Sequence, residues 1–178
     1  MDLVFALCNN APRRVLLACV AAVAGLLLYG LYLQELVGLV PCPMCIVQRY
    51  AMLLLAACAG AGAAARSRGA HLAAALGVFV CAAGGAFVAA RQSWLQWYPP
   101  EIASCGRDFY GMVESFPLQR VIPMIFRGSG DCTKVDWTLL GGSVANWSFL
   151  AFCALAIAAL VFVLARWRSL PQSADPQV

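Results

Sequence analysis

Pro41-Cys42-Pro43-Met44-Cys45-Ile46-Val47-Gln48-Arg49 is a Cys-x-x-Cys at the mouth of an apolar segment, with an arginine four residues past the second cysteine. Pro43 lacks an N–H and its ring collides with a preceding helical turn, so it is excluded from a helix interior. The first turn accepts it, and there it marks a helix start. The stretch therefore predicts a helix opening near Pro43, with Cys45 in its first turn. Unpaired N–H groups and the positive end of the helix dipole would face that sulfur. Both favour the thiolate, the reactive form of cysteine. Arg49 projects from the same face one turn deeper, and its charge persists at any ordinary pH. The stretch reads as a redox-active dithiol beside a cation at a membrane edge.

The rest of the chain supplies the membrane. Of 178 residues, 63% are hydrophobic and 11% charged, with a mean hydropathy of +0.81. Soluble domains carry about 25% charged residues. Four apolar runs, at about 15–33, 45–65, 71–90 and 147–165, are each long enough to cross about 30 Å of hydrocarbon. Arg49 is the one charge inside them. The first run is too long for a signal-peptide core and is read as a retained helix. Small residues such as Ala59-Gly60-Ala61-Gly62-Ala63 and Ala82-Ala83-Gly84-Gly85-Ala86 let helices approach closely in lipid. The fold class is an all-α integral membrane protein, one four-helix transmembrane bundle spanning 1–178.

Basic residues orient it. Arg13 and Arg14 precede the first run, Arg66 and Arg68 separate the second and third, and Arg166 and Arg168 follow the fourth. Four crossings put all three places on one side, which the positive-inside rule makes cytoplasmic. Both termini are then cytoplasmic, and the tail after Arg168 is expected to be disordered. The opposite side carries a short loop, about 34–44, and a long one, about 91–146. No basic tract suits nucleic acid.

The nine cysteines sort by position. Cys8 lies on the reducing side and reads as a bystander. Cys19, Cys58, Cys81 and Cys153 lie mid-membrane, isolated, and read as packing residues. Four remain on the oxidising side. Cys42 and Cys45 are juxtamembrane. Cys105 and Cys132, 27 residues apart in the long loop, are the natural disulfide pair there. The segment between them is apolar but broken by Pro117 and Pro123, and it reads as a short amphipathic helix lying in the membrane surface. Two dithiol couples on one face suggest exchange through a mixed disulfide. Gln48 and Tyr50 flank Arg49 and could hydrogen-bond a polar ligand head. An arginine there can also simply snorkel to the interface. His71, the only histidine, reads as interfacial.

These features together resemble the DsbB family, quinone-dependent thiol oxidases of the bacterial inner membrane. The likeness covers nearly the whole chain. It rests on Pro41-Cys42-x-x-Cys45 opening the second helix, Arg49, Gln96-x-Tyr98-Pro99 before Cys105, Ser129-Gly130-Asp131-Cys132, Trp137 and Leu140-Gly141. The resemblance implies that a reduced, DsbA-like periplasmic thioredoxin-fold oxidase attacks the loop disulfide at Cys105. Cys132 then passes the electrons to Cys42, and Cys45 delivers them to ubiquinone or menaquinone held near Arg49, with Gln48 beside it. The chain departs from some members at Gln92, where they have a histidine, and in placing Pro-Met between the active cysteines. A vitamin-K-epoxide-reductase-like reading is disfavoured because the CxxC precedes the loop pair. A non-catalytic protein with a thiolate metal site or two structural disulfides is the other alternative.

Overall fold

Pro43 does open a helix, and the residue before it caps that helix. The computed structural model describes residues 2–39, 41–99, 133, 135 and 137–168. Cys105, Cys132, the expected surface helix between them and the C-terminal tail lie outside the described residues. In chain order the elements are α1 (Asp2–Asn10), α2 (Pro12–Glu35), α3 (Pro43–Ala64), α4 (Arg68–Trp97), β1 (Thr138–Leu139), β2 (Gly142–Ser143) and α5 (Val144–Arg168).

Four of these, α2 to α5, are long and apolar enough to span a bilayer. Each corresponds to one of the apolar runs, with different ends. Pro12 starts α2 at the N1 position, where its missing N–H costs nothing. Ser67 caps α4, its hydroxyl accepting from the Ala70 N–H at 3.2 Å. Arg13 closes the other end of α3 by donating to the carbonyls of Ala64 and Ala65 at 3.2–3.3 Å. Those are carbonyls that a helix C-terminus leaves unpaired.

The largest difference from the sequence expectation is the length of α4. It does not end near residue 90 but continues to Trp97. Arg91 to Trp97 contain no proline or glycine, so nothing local stops the ladder until the Pro99-Pro100 pair. A helix of 30 residues exceeds the roughly 20 that hydrocarbon requires. The surplus carries Gln92 and Gln96 beside the start of α3. The second difference is α1, a helix in the segment read as a plain N-terminal lead. It packs on α5 and α2 and buries Cys8 in the core. That thiol is a packing group, and burial pushes its pKa up. The third is a small addition that leaves the expected all-α bundle intact: β1 and β2, two residues each, form an antiparallel hairpin, Thr138 opposite Ser143 and Leu139 opposite Gly142.

α4 is the centre of the bundle, packed along both α3 and α5, while α2 lies against α3. Small residues make this possible. A Cβ on Gly85 would collide with the ring of Phe152, which is fully buried. A Cβ on Gly62 would collide with Ala74 across the α3–α4 seam. Cys58 on α3 and Cys81 on α4, isolated in sequence, are neighbours across that seam. The outward faces are apolar too, as Leu28, Leu54, Val80, Phe87 and Ile157 show. A helix hydrophobic all round fits hydrocarbon on one side and protein on the other. Trp94, Trp97 and Tyr98 form an exposed aromatic group where α4 ends, and the rings of Trp94 and Tyr98 are 4.7 Å apart. Such clusters suit the headgroup level.

Two polar groups sit where the sequence suggested surface. His71 is buried, with Nδ1 3.4 Å from an Arg166 guanidinium nitrogen. Arg166, expected just beyond the last helix, lies within its final turn and is buried as well. α1 covers this end, and the Arg166 guanidinium donates to its Asn9 carbonyl at 3.4 Å.

Candidate functional site

Cys42 is the N-cap of α3, with extended backbone dihedrals, and Pro43, Met44 and Cys45 fill the first turn. The N–H of Cys45 is one of the donors a helix start leaves unpaired, and it donates to the Cys42 sulfur at 3.3 Å. The sulfur that the helix terminus holds is therefore that of Cys42, whereas the sequence had pointed to Cys45. The cause is geometric: an N-cap side chain reaches back to the third residue of its own helix. The two sulfurs lie 2.8 Å apart. Cys42 is buried and Cys45 half-buried.

Gln92 completes the group. Its side-chain amide donates to both sulfurs, at 3.3 Å each. Its carbonyl oxygen accepts from the Gln48 amide at 2.7 Å. Both glutamines are buried, so this chain of bonds runs inside the protein. Gln48, expected to face a ligand, is instead turned on Gln92, although it still lines the cavity described next. Gln92 was not assigned a role from sequence. Its position in an apparent loop hid it, and only the continuation of α4 brings it to the cysteines.

A cavity of about 550 Å³ opens beside the dithiol, between α2, α3, the end of α4, the hairpin and the start of α5. Ligand pockets typically span about 300–1,000 Å³ with mostly apolar walls and a few placed polar groups. Leu26, Leu27, Leu33, Met52 and Leu150 supply apolar wall here. Cys42, Cys45, Gln48, Arg49, Gln92 and Gln96 supply polar atoms. Arg49 shares the cavity with Cys45, as their spacing predicts, and α2 fixes it. Its guanidinium donates to the Gln34 side-chain oxygen at 2.6 Å and to the Gly30 carbonyl at 3.2 Å. An arginine so tied, and half-buried, is not a chain loosely reaching for the interface. Tyr50, by contrast, is exposed and does not line the cavity.

The hairpin roofs one side. Ser143 donates its hydroxyl hydrogen to Gln96 at 2.6 Å, and its oxygen accepts from the N–H of Asn146 in the first turn of α5. The Trp147 indole N–H donates to the Leu139 carbonyl at 3.0 Å. Trp137 meets Tyr29 edge to face, with ring centroids 6.4 Å apart. Leu139, Ser143, Trp137 and Trp147 all line the cavity.

This arrangement can hold a flat, partly polar ring against a dithiol and a cation, with an apolar body among the leucines. Comparison with known proteins identifies the family. The family model described as "Disulfide bond formation protein DsbB" matches residues 12–162. Among curated relatives, each named "Disulfide bond formation protein B", that of Polaromonas sp. strain JS666 is 65% identical over 160 residues, covering 88% of this chain and 95% of its own. That of Albidiferax ferrireducens is 58% identical over 160 residues, covering 90% of each. That of Acidovorax sp. strain JS42 is 57% identical over 165 residues, covering 93% and 95%. With the match covering the first three spanning helices and most of the fourth, the chain belongs to the DsbB family of disulfide bond formation proteins.

Proposed function

We propose that the protein is an inner-membrane thiol:quinone oxidoreductase that reoxidises a DsbA-like, thioredoxin-fold oxidase in the periplasm. The observation that carries this reading is one apolar-walled cavity lined by both Cys45 and Arg49, with the Cys42 and Cys45 sulfurs in contact. Its size, leucine walls and donor set fit ubiquinone or menaquinone. A bound quinone supplies an acceptor for two electrons and two protons, matching one dithiol.

The chain's own residues do the rest. Arg49, positioned by Gln34 and Gly30, has further N–H groups to offer a ring oxygen and offsets negative charge there. Gln92 and the Cys45 N–H donate to the sulfurs, and the Cys45 thiol can donate back to the Gln92 oxygen at 3.8 Å, so this one amide holds both sulfurs in place. The apolar walls flank the dithiol on its cavity side. Cys105 and Cys132 form the loop couple. The partner's thiolate attacks Cys105, releasing Cys132, and the partner's second thiol resolves the mixed disulfide. The partner leaves oxidised and the loop holds two thiols. The same exchange, from Cys132 to Cys42, moves the pair of electrons to the juxtamembrane couple, and Cys45 is the sulfur facing the acceptor. The arginines at the far ends of the helices make that end cytoplasmic, with both termini inside.

The test is turnover of purified protein with a reduced thioredoxin-like partner and a soluble quinone, followed by quinone absorbance. Cys45→Ser should abolish it. Arg49→His should raise the KM for quinone roughly tenfold or more, the worth of a hydrogen bond to a charged group. Undiminished quinone reduction by Cys45→Ser, or partner oxidation that needs no acceptor, would remove the reading.

A further inference from the structure

Arg49 is held by two neutral oxygens. Its guanidinium donates to the Gln34 side-chain carbonyl at 2.6 Å and to the Gly30 main-chain carbonyl at 3.2 Å. Among the described residues no carboxylate pairs with it. We infer that Gln34 keeps the charge of Arg49 uncancelled, so that the cavity prefers an anionic aromatic ring, of the hydroxyquinone class, to a neutral ring of the same shape. This rests on the reading of the cavity as a quinone site and adds a ligand class to it.

Gln34 lies one residue before the end of α2, is half-buried and lines the cavity, as Gly30 does one turn earlier. Residues four apart share a helix face, so both reach the same guanidinium. If this position supplied anchoring alone, a carboxylate would anchor more firmly. A charge-assisted bond to arginine is about twice as strong as a bond between neutral groups. An acid is in fact one residue away. Glu35 follows Gln34, about 100° further around the helix, and is exposed. Its carboxylate accepts from the Gln34 Nε2 at 3.1 Å. That bond fixes which way the carboxamide faces. With its nitrogen on the carboxylate, its oxygen is left for the arginine. The flipped amide would set donor against donor and acceptor against acceptor. Glu35, Gln34 and Arg49 thus form a line of acid, amide and cation, with the amide between the two charges. The cation is positioned without being neutralised.

The surroundings add to its effect. Arg49 is half-buried in a cavity with leucine walls, and charges interact more strongly where less water screens them. A ring with a negative oxygen meets an uncompensated cation there. A neutral ring gains only a bond between a charged donor and an uncharged acceptor. The difference is worth roughly tenfold in affinity. Gln34 is a positioning residue, since it acts on the ligand through Arg49.

The test is equilibrium binding to the full chain, oxidised and in detergent, by titration calorimetry. The probes are 2-hydroxy-1,4-naphthoquinone, an anion at neutral pH, and 2-methyl-1,4-naphthoquinone, a neutral ring of the same size. The parent should bind the anion roughly tenfold more tightly. Gln34→Glu puts a carboxylate on the guanidinium and should abolish the preference, weakening the anion and leaving the neutral ring little changed. Arg49→Gln removes the charge itself and should abolish the preference too. Equal affinities in the parent, or a preference that survives either substitution, overturn the inference. Quinone reduction driven by a reduced thioredoxin-like partner, measured on the same samples, tests the oxidoreductase reading separately. A parent that reduces quinone without preferring the anion defeats the inference alone. A parent that prefers the anion without reducing quinone supports the inference and defeats that reading alone.

Discussion

The carboxamide of Gln92 serves three partners at once: two sulfurs through its N–H groups and Gln48 through its oxygen. A histidine offers a ring nitrogen at such a position, whereas glutamine offers both donor and acceptor from one planar group. Truncation therefore has two consequences. Gln92→Ala leaves the buried Gln48 amide without its acceptor, which should destabilise the protein by about 1–3 kcal/mol, read as a lowered midpoint of thermal unfolding in detergent. It also removes donors from the sulfurs, so the reduced dithiol should be alkylated more slowly at neutral pH. Alkylation as fast as in the parent would show that Gln92 is not what holds the sulfurs in their reactive form.

Two elements depend on close backbone geometry. Where α4 meets α5, Gly85 lies against the ring of Phe152, which is fully buried. Gly85→Leu should cost about 1–3 kcal/mol or more, because an overpacked seam has no slack to absorb it. Thermal unfolding measures that directly, and Gly84→Leu, whose added Cβ meets nothing, is the control. The hairpin has the opposite problem. Its two central residues, Leu140 and Gly141, both have positive φ, 51° and 80°. That is the two-residue turn that favours Asn-Gly, and leucine is a poor occupant of its first position. Leu140 is 90% exposed, so nothing in the described protein repays the strain. Leu140→Asn should stabilise the turn by roughly 1 kcal/mol, seen as slower amide exchange at the β1–β2 pairing. Faster exchange would mean that the leucine is held by contacts with its surroundings.

At the scale of the bundle, the dithiol end and the arginine end are opposite faces of one membrane body. The proposed orientation follows, and it predicts labelling. In intact cells an impermeant maleimide should reach Leu140→Cys and not Ser67→Cys, with Cys42, Cys45, Cys105 and Cys132 all kept oxidised; the reverse pattern would invert the protein. Much of this body is legible in the chain itself. Hydropathy located the four spans, and proline chemistry located the start of α3, because both act over a few neighbouring residues. The Cys-x-x-Cys, Arg49 and the spaced motifs after them pointed to the family that the comparisons identify. What stayed hidden was which face of each span points inward. In water an apolar stripe marks the core, but in lipid both faces are apolar, and the pattern no longer tells them apart. Only packing could therefore bury Cys8, set Cys58 beside Cys81 and pair His71 with Arg166. Only packing could carry the end of α4 back to the cysteines and tie Arg49 to Gln34 and Gly30. The chain's own composition decided that there is a membrane bundle with a dithiol at its lip; which side chains surround that dithiol depends on contacts between residues far apart in sequence, and the fold alone makes them.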